Sequence, residues 1–203
     1  MYRIAITGKA NTGKNTVAKL LTKGLYGIAN TEGWNWSSGK VQFIAFADPI
    51  KKMARLAFPQ IPRKWLYGSS KYRSQVIPDA FKDGVPLTVR QLLIDLGNDF
   101  GRKYNPVLWI DNFDHGLEKL YKNNPKIVVV TDCRFRNEFD HLKNLGFFQI
   151  RILRDIHTKI DDVSETNQDG IMDSEFDAII YNNKTKAHLK AQVDQIIMKL
   201  QEK

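Results

Sequence analysis

The chain has 203 residues, and its 31 basic and 22 acidic side chains give a formal charge of +9. This length suits one globular domain that buries about 70% of its extended surface without covalent or metal cross-links. The apolar share of 42% and the charged share of 26% exclude a wholly disordered chain. No apolar run approaches the roughly 18 residues of a membrane-spanning helix. The positive charge predicts an anionic partner.

Two features bear on the compartment in which the chain works. Residues 1–10 lack the basic stretch, apolar core and small-residue cleavage site of a secretory signal. The single cysteine, Cys133, excludes an intramolecular disulfide, and we expect it to be a small core residue rather than a nucleophile. Together these features predict a cytoplasmic protein with no membrane partner.

The predicted elements alternate between strands and helices along the chain. Strands are predicted at 2–7, 41–47, 127–131, 147–153 and 177–181. Helices are predicted after Gly13, from Pro49 to about Ala57, from Val89 to about Lys103, from Asn105 and Pro106 onward, from Asn137 to Leu145 and after Thr185. The continuously apolar strand at 127–131 is typical of a strand covered on both faces. We therefore predict an α/β fold with a five-stranded, mainly parallel sheet and helices on both faces.

Side chains at helix starts and three longer segments complete this prediction. Thr88, Asn137 and Thr185 are predicted N-caps of the helices that follow them. Residues 28–40 are rich in turn formers, and Trp34 and Trp36 there could form a hairpin or a flap, with packing the favoured role. Residues 58–87 and 155–175 have few periodic apolar side chains, so we expect irregular binding or lid-like segments within a single domain, 1–203.

The strongest motif follows the first predicted strand. Gly8, Lys9, Ala10, Asn11, Thr12, Gly13 and Lys14 have the GxxxxGK spacing of a phosphate-binding loop between a strand and a helix. The backbone amides of such a loop point at phosphate oxygens, and the lysine reaches the β- and γ-phosphates. Asn15 stands where a Mg²⁺-binding Ser or Thr is usual. Its amide oxygen either ligates Mg²⁺ or orders water around the ion.

Two acids follow predicted strands and point to the same site. Asp48 comes after the second strand and Asp132 after the third. Ligands bind outside the carboxyl ends of the strands in open α/β sheets, so we expect both acids to converge with Lys14. Asp132 can hold a water of Mg²⁺, and Arg134 can clamp a phosphoryl group. Asp48 directly precedes Pro49, so it can also cap a helix.

Several basic residues are candidates for binding phosphate. Arg90 and Arg102 are about 3.3 helical turns apart, and so lie on roughly one face of a helix. Arg151 and Arg154, at the end of the fourth strand, could reach a triphosphate. Further cations stand in the irregular segment, namely Arg63, Lys64, Lys71 and Arg73. The remaining excess of charge is interpreted as scattered lysines, which argues against a nucleic-acid partner.

Five blocks of sequence, in this order, resemble the phage-type deoxynucleoside monophosphate kinases. They are GKANTGKNT, AFADPIKK, LTVRQLLIDLGNDFGRKYNPVLWI, VVVTDCRFRNE and SET followed by DAIIYNN. The blocks span most of the chain, and this chain has GKNT where the family usually has GKDT. The resemblance implies a core similar to that of adenylate kinase and dephospho-coenzyme A kinase, with ATP and Mg²⁺ as cofactors.

The resemblance also implies a role for each matching residue. Residues from Gly8 to Asn15 and Thr16 would bind the triphosphate, together with Arg154. Asp48, Lys51, Arg90 and Arg102 would bind the acceptor monophosphate. Lys14, Asp48, Asp132 and Arg134 would be catalytic, with Asn15 and Asp132 at the metal. Ser164 and Glu165 form a pair that is typical of the family, inside the lid-like segment.

The predicted reaction is ATP-dependent phosphorylation of a deoxynucleoside monophosphate for the synthesis of DNA precursors. One alternative is a kinase of another small phosphorylated metabolite, such as dephospho-coenzyme A, because the loop recognises only ATP. The other is a nucleic-acid-binding ATPase, which the charge of +9 favours. We expect a small-molecule substrate, no nucleic-acid partner and, if the chain is phage-encoded, the cytoplasm of a bacterial host. A homodimer is left open.

Overall fold

The computed structural model describes residues 1–26, 40–155 and 167–202. The chain divides into two compact units. We call Met1–Ala45 with Leu117–Lys203 the sheet unit and Phe46–Gly116 the inserted unit. The expectation of one domain over 1–203 stays a prediction. The interpretations of Trp34, Trp36, Ser164 and Glu165 fall outside the described residues.

The strands and helices, numbered in chain order, are as follows. The strands are β1 Tyr2–Thr7, β2 Val41–Phe43, β3 Val76–Lys82, β4 Val85–Thr88, β5 Ile127–Val130, β6 Phe148–Leu153 and β7 Ala178–Tyr181. The helices are α1 Lys14–Tyr26, α2 Asp48–Ala57, α3 Arg63–Tyr67, α4 Val89–Ile94, α5 Leu108–Tyr121, α6 Arg136–Asn144 and α7 Lys186–Gln201. Shorter 3₁₀ turns lie at Ser70–Ser74, Asn167–Gly170 and Asp173–Glu175, and a π-helix spans Asp95–Arg102. None of the helices in the described part is long and apolar enough to span a membrane.

The sheet unit contains the predicted five-stranded parallel sheet, in the order β2-β5-β1-β6-β7. All four residues of β5 are fully buried, as its unbroken apolar sequence predicted. Helix α7 contributes its predicted apolar face to the core against β1, β6 and α1. Its buried residues are Leu189, Val193, Ile196, Ile197 and Leu200. Thr185 caps α7 by accepting a hydrogen bond from the backbone N–H of His188.

One edge of the sheet is covered by a side chain. Strand β7 pairs with β6 on one side, and no other strand of the described residues pairs with its second side. The Gln192 side chain of α7 accepts a hydrogen bond from the Tyr181 backbone N–H at 3.0 Å. Its amide nitrogen donates to the Tyr181 carbonyl at 3.1 Å. A single glutamine therefore satisfies both backbone groups of one edge residue.

The inserted unit contains more regular structure than the sequence predicted. Residues 58–87 include α3, a 3₁₀ turn and an antiparallel hairpin formed by β3 and β4. The expectation of an irregular segment is therefore wrong here. Asp83 and Gly84 both have positive φ, which is the backbone that a tight hairpin turn requires. Pro78 and Pro86 argue against strands in the sequence, because proline is unusual inside strands, and the hairpin is therefore not predicted.

Some boundaries and caps also differ from prediction. Strand β2 ends at Phe43 instead of Ala47, and α5 begins at Leu108. The residue before α6 is Phe135, so Asn137 is not its N-cap but lies inside the helix, where its side chain accepts from the Glu138 N–H. Asp48 is the first residue of α2 and not its cap. Thr88 is confirmed as the cap of α4.

The helix predicted over 89–103 changes type along its length. It is α-helical as α4 and continues as the π-helix Asp95–Arg102. The buried Trp109 indole N–H donates to the Gly97 carbonyl at 2.8 Å, so α5 contacts the π-helix backbone directly. A π-helix has more residues per turn than an α-helix. The spacing argument that put Arg90 and Arg102 on one helical face therefore does not apply.

Candidate functional site

The phosphate loop lies between β1 and α1, as its motif predicted. The loop turns through two residues with positive φ, Asn11 at 62° and Gly13 at 103°. A Cβ atom at Gly13 would lie 2.5 Å from the Asn182 side-chain nitrogen, so only glycine fits there without displacing Asn182. The Val17 N–H donates to the Gly13 carbonyl and begins α1. The loop thus leads directly into the helix N-terminus, where anions bind.

Lys14 folds back over this loop. Its ammonium group donates to the Gly8 carbonyl and to the Lys9 carbonyl, the latter at 2.7 Å. These bonds hold a positive charge inside the ring of loop backbone. This is the position from which a loop lysine reaches the outer phosphates of a nucleotide.

Neighbouring elements of the sheet unit fix the shape of the loop. Thr12 is buried, and its hydroxyl donates to the Lys9 carbonyl at 2.9 Å. The Asn182 side chain, just after β7, donates to the Thr12 carbonyl at 2.7 Å. Arg154, just after β6, donates to the Asn11 carbonyl at 3.2 Å. The ends of two strands therefore hold the loop by its carbonyl groups and leave its amides out of those bonds.

Asn15 and Thr16 are exposed at the start of α1, and Asp132 is half-buried beyond β5. Within the described residues, no group of three or more His, Cys, Asp or Glu side chains is placed to hold a metal ion. Mg²⁺ takes oxygen ligands and commonly uses one or two protein groups besides water and substrate phosphates. The amide and carboxylate oxygens of Asn15 and Asp132 therefore fit this ion.

A buried carboxylate shapes the turn that carries Asp132 and Arg134. Glu138 is 1% exposed, and its Oε2 accepts from the Arg134 N–H at 2.8 Å and from the Phe135 N–H at 3.1 Å. These are backbone donors at the start of α6 that would otherwise lack a helical partner. Motif reasoning did not include Glu138, although a glutamate three residues after a helix cap is a known capping signal.

Cys133 lies within the same turn and is fully buried. Burial raises the pKa of its thiol well above the ordinary value, and the nearby Glu138 carboxylate acts in the same direction. A thiol that stays protonated is a poor nucleophile. The expectation that Cys133 is a core residue is confirmed.

A cavity of about 240 Å³ opens where β6 and β7 end. It is lined by Arg154, Asp155, Asn182, Asn183 and Lys184. The Asn183 side chain accepts from the Asp155 N–H and donates to the Asp155 carboxylate, both at 2.8 Å. Two lining residues, Arg154 and Asn182, are those that hold the phosphate loop. The cavity is therefore adjacent to the loop, at the carboxyl edge of the sheet.

Arg151, a candidate for the triphosphate contact, is bonded to residues 171–176. Its guanidinium forms an ion pair with Asp173 at 2.8 Å and donates to the Ile171 carbonyl at 2.6 Å. It also lies over the Phe176 ring, 5.2 Å from the ring centre. Lys9 pairs with Asp169 at 3.1 Å in the same way. Arg151 of β6 and Lys9 of the phosphate loop thus hold residues 168–176 in place within the sheet unit.

The predicted acceptor residues belong to the inserted unit. Lys51 is largely buried, with 12% of its side chain exposed, and pairs with Asp48 at 3.2 Å. Arg90 lies in α4 and Arg102 ends the π-helix, and both are half-buried. The expected meeting of Asp48 with Lys14 and Asp132 involves both units and stays a prediction.

Comparison with known proteins identifies the family. A family model described as deoxynucleotide monophosphate kinase matches residues 68–193. A protein of Acanthamoeba polyphaga mimivirus, named as an inferred deoxynucleotide monophosphate kinase, is 28% identical over 207 residues, which is 95% of this chain and 94% of the relative. Neither match favours the two alternative functions. The chain belongs to the deoxynucleotide monophosphate kinase family, and it is a phosphotransferase that acts on deoxynucleoside monophosphates, as its sequence motifs predicted.

Proposed function

We propose that the sheet unit binds ATP and that the chain transfers the γ-phosphoryl group to a deoxynucleoside monophosphate held by the inserted unit. The phosphate loop, with the Lys14 ammonium inside it, carries this proposal. Phosphoryl transfer requires little covalent participation by the protein, because positioning and charge neutralisation supply most of the catalysis.

The donor side uses residues 8–16 for the triphosphate and the cavity beside Arg154 and Asn182 for the rest of the nucleotide. The carbonyl groups of the loop are engaged by Thr12, Asn182 and Arg154. These hydrogen bonds fix the conformation of the loop before ATP binds, so the loop needs little reorganisation on binding. Lys14 then neutralises charge on the outer phosphates.

Asn15 and Asp132 would hold Mg²⁺ or its water ligands. When bound, the ion would neutralise phosphate charge and orient the β- and γ-phosphates. Arg134 lies two residues after Asp132, on the turn that Glu138 fixes, and its guanidinium suits bidentate contact with a phosphoryl oxygen pair. Asp48, Lys51, Arg90 and Arg102 would bind the acceptor.

The remaining expectations are also proposals. They are the cytoplasm as the compartment, a bacteriophage origin and a homodimer, and they rest on the sequence alone. A small-molecule substrate agrees with membership of the kinase family.

The decisive experiment measures ADP release with each of the four deoxynucleoside monophosphates, for the wild type and for Lys14→Ala. Removing one cation from a preorganised site typically costs a hundredfold in rate, or about 3 kcal/mol. Lys23→Ala is the matched control, because Lys23 is an exposed lysine in the last turn of the same helix. Turnover that needs no monophosphate, or a Lys14→Ala enzyme that keeps full activity, would overturn the proposal.

A further inference from the structure

One stretch of the chain carries much of its positive charge without any acidic residue. Residues 49–78 contain seven Lys and Arg side chains and no Asp or Glu, a net charge of +7. The other 173 residues hold 24 basic and 22 acidic side chains, a net charge of only +2. Part of the excess charge is therefore clustered along the chain and not scattered. This stretch lies in the inserted unit.

Most of these cations face solvent. Five of them are exposed and make no ion pair within the described part of the chain, and we call them the basic patch: Lys52, Arg55, Arg63, Lys64 and Lys71. Lys51 differs, because it is paired with Asp48. Like charges that gather without carboxylates repel one another, so such a surface favours a polyanion that neutralises it.

Tyrosine rings lie among the cations. The Tyr67 ring centre is 5.1 Å from the Arg63 guanidinium carbon and 5.2 Å from the Lys51 ammonium. Burial and the Asp48 charge raise the pKa of Tyr67, while Arg63 and Arg55 oppose this change. Lys51 of α2 and Arg63 of α3 both lie over this ring, so the ring brings the two helices together at this surface.

A second ring continues this surface. The Tyr72 ring centre is 5.3 Å from the Lys71 ammonium and 5.9 Å from the Lys64 ammonium. Both tyrosines are half-buried. Aromatic rings interleaved with cations are the usual elements of surfaces that bind single strands, because bases stack on rings while phosphates meet cations.

The acceptor substrate does not account for this charge. The phosphate of a monophosphate carries a charge of about −2. The proposed acceptor residues Lys51, Arg90 and Arg102 already supply three cations. Five further exposed cations are therefore more than one monophosphate needs for charge neutralisation.

We propose that the basic patch binds single-stranded nucleic acid. A single strand offers one phosphate per nucleotide to the cations and unpaired bases to the half-buried tyrosine rings. The neighbouring tyrosine rings favour a single strand over a duplex, because the bases of a duplex are already stacked on one another. The contacts are to phosphates and base faces, so binding is independent of sequence and sensitive to salt.

Fluorescence anisotropy with a labelled 20-nucleotide oligothymidylate tests this proposal. Five phosphate contacts predict that log K falls with log salt with a slope of about −3.5, since each contact on a single strand contributes about −0.7. The triple variant Lys52→Gln, Lys64→Gln, Lys71→Gln should lose about two units of that slope and bind about tenfold more weakly at low salt.

The matched control removes the same charge from the sheet unit. Lys23→Gln, Lys119→Gln, Lys122→Gln changes three exposed lysines and should bind the oligonucleotide within about twofold of the wild type. Tyr72→Leu should weaken single-strand binding severalfold by removing a stacking surface. Circular dichroism of each variant confirms that it is folded.

Four results would overturn the proposal. The first is that the wild type does not bind the oligonucleotide. The second is that the control triple variant loses as much affinity as the patch triple variant. The third is that a duplex of equal length binds as tightly as the single strand while Tyr72→Leu has no effect. In the fourth, a saturating monophosphate displaces the oligonucleotide and the patch triple raises the KM for the monophosphate tenfold, which would make the patch part of the acceptor site.

Discussion

Cations near the phosphate loop in the sheet unit and cations of the basic patch in the inserted unit have different partners. In the sheet unit, cations beside the phosphate loop are paired with acids or carbonyls, as Lys9 is with Asp169 and Arg151 with Asp173. In the inserted unit, the basic patch has tyrosine rings as neighbours and no ion pair within the described residues. The first arrangement fixes donors in direction and suits one small anion. The second adapts to a long anion and weakens with salt.

The largest effect is expected from a substitution in the backbone of the phosphate loop, which the sheet unit holds in a fixed conformation. Gly13→Ala forces a side chain into a left-handed position, with its Cβ 2.5 Å from the Asn182 nitrogen. The strain of about 1–2 kcal/mol adds to the displacement of Asn182. We expect kcat/KM for ATP to fall at least tenfold, or about 1.4 kcal/mol, together with a loss of stability. Steady-state kinetics and thermal unfolding measure both.

Gly84→Ala is the matched change in the inserted unit. Gly84 has φ of +77°, and nothing lies within 4 Å of a Cβ there. It should lose about 1 kcal/mol of stability from backbone strain and keep the wild-type KM for ATP. Equal kinetic damage from the two variants would contradict a preformed loop in the sheet unit.

Glu138 tests whether the turn after β5 needs its buried carboxylate. Glu138→Ala leaves two backbone N–H groups without their acceptor, which costs about 1–3 kcal/mol. We expect a lower kcat with little change in the KM for ATP, because Glu138 accepts hydrogen bonds from the backbone that carries Arg134. Glu138→Gln keeps one acceptor oxygen and should recover part of kcat. Glu118→Ala, on an exposed face, is the control. Lost stability with unchanged kcat would leave Glu138 a purely structural residue.

Asn182 tests the link between the cavity and the loop. Asn182→Leu removes the donor to the Thr12 carbonyl, worth about 1 kcal/mol, and should raise the KM for ATP about fivefold and lower kcat. Asn183→Leu removes the bonds to Asp155 without touching the loop, so it should change KM alone. If both variants lower kcat equally, Asn182 has no special role in the loop.

The smallest effect concerns paired and unpaired surface charges. The Met172 N–H and the Arg136 guanidinium lower the pKa of Glu175. Its ionised form therefore stabilises the fold above the unfolded pKa of about 4.3, and this contribution is lost as the pH falls through the lowered folded pKa. Glu175→Gln should have a lower Tm than the wild type at pH 7, with the difference narrowing in acid. Lys71→Gln should not lower Tm at pH 7 or in acid. A constant difference for Glu175→Gln would contradict this assignment.

The parts predicted from the sequence are those with strong local signals. The spacing of the Gly8–Lys14 loop, the apolar run of β5 and the Thr88 and Thr185 caps each depend on a few adjacent residues. The hairpin was missed because Pro78 and Pro86 outweighed the Asp83–Gly84 turn signal. The π-helix was missed because helical periodicity is read at 3.6 residues per turn. Side chains that act across the chain, such as Asn182 on Thr12, leave no local pattern.

Gln192 at the sheet edge also affects whether another chain can pair with this edge. An open strand edge is a template on which another polypeptide can extend the sheet. Gln192 occupies the donor and the acceptor of Tyr181, so an incoming strand would first have to displace it. Because α7 also contributes Leu189 and Val193 to the core, displacement would loosen packing as well. Helix α7 therefore makes strand addition at Tyr181 less favourable while it also packs against the core.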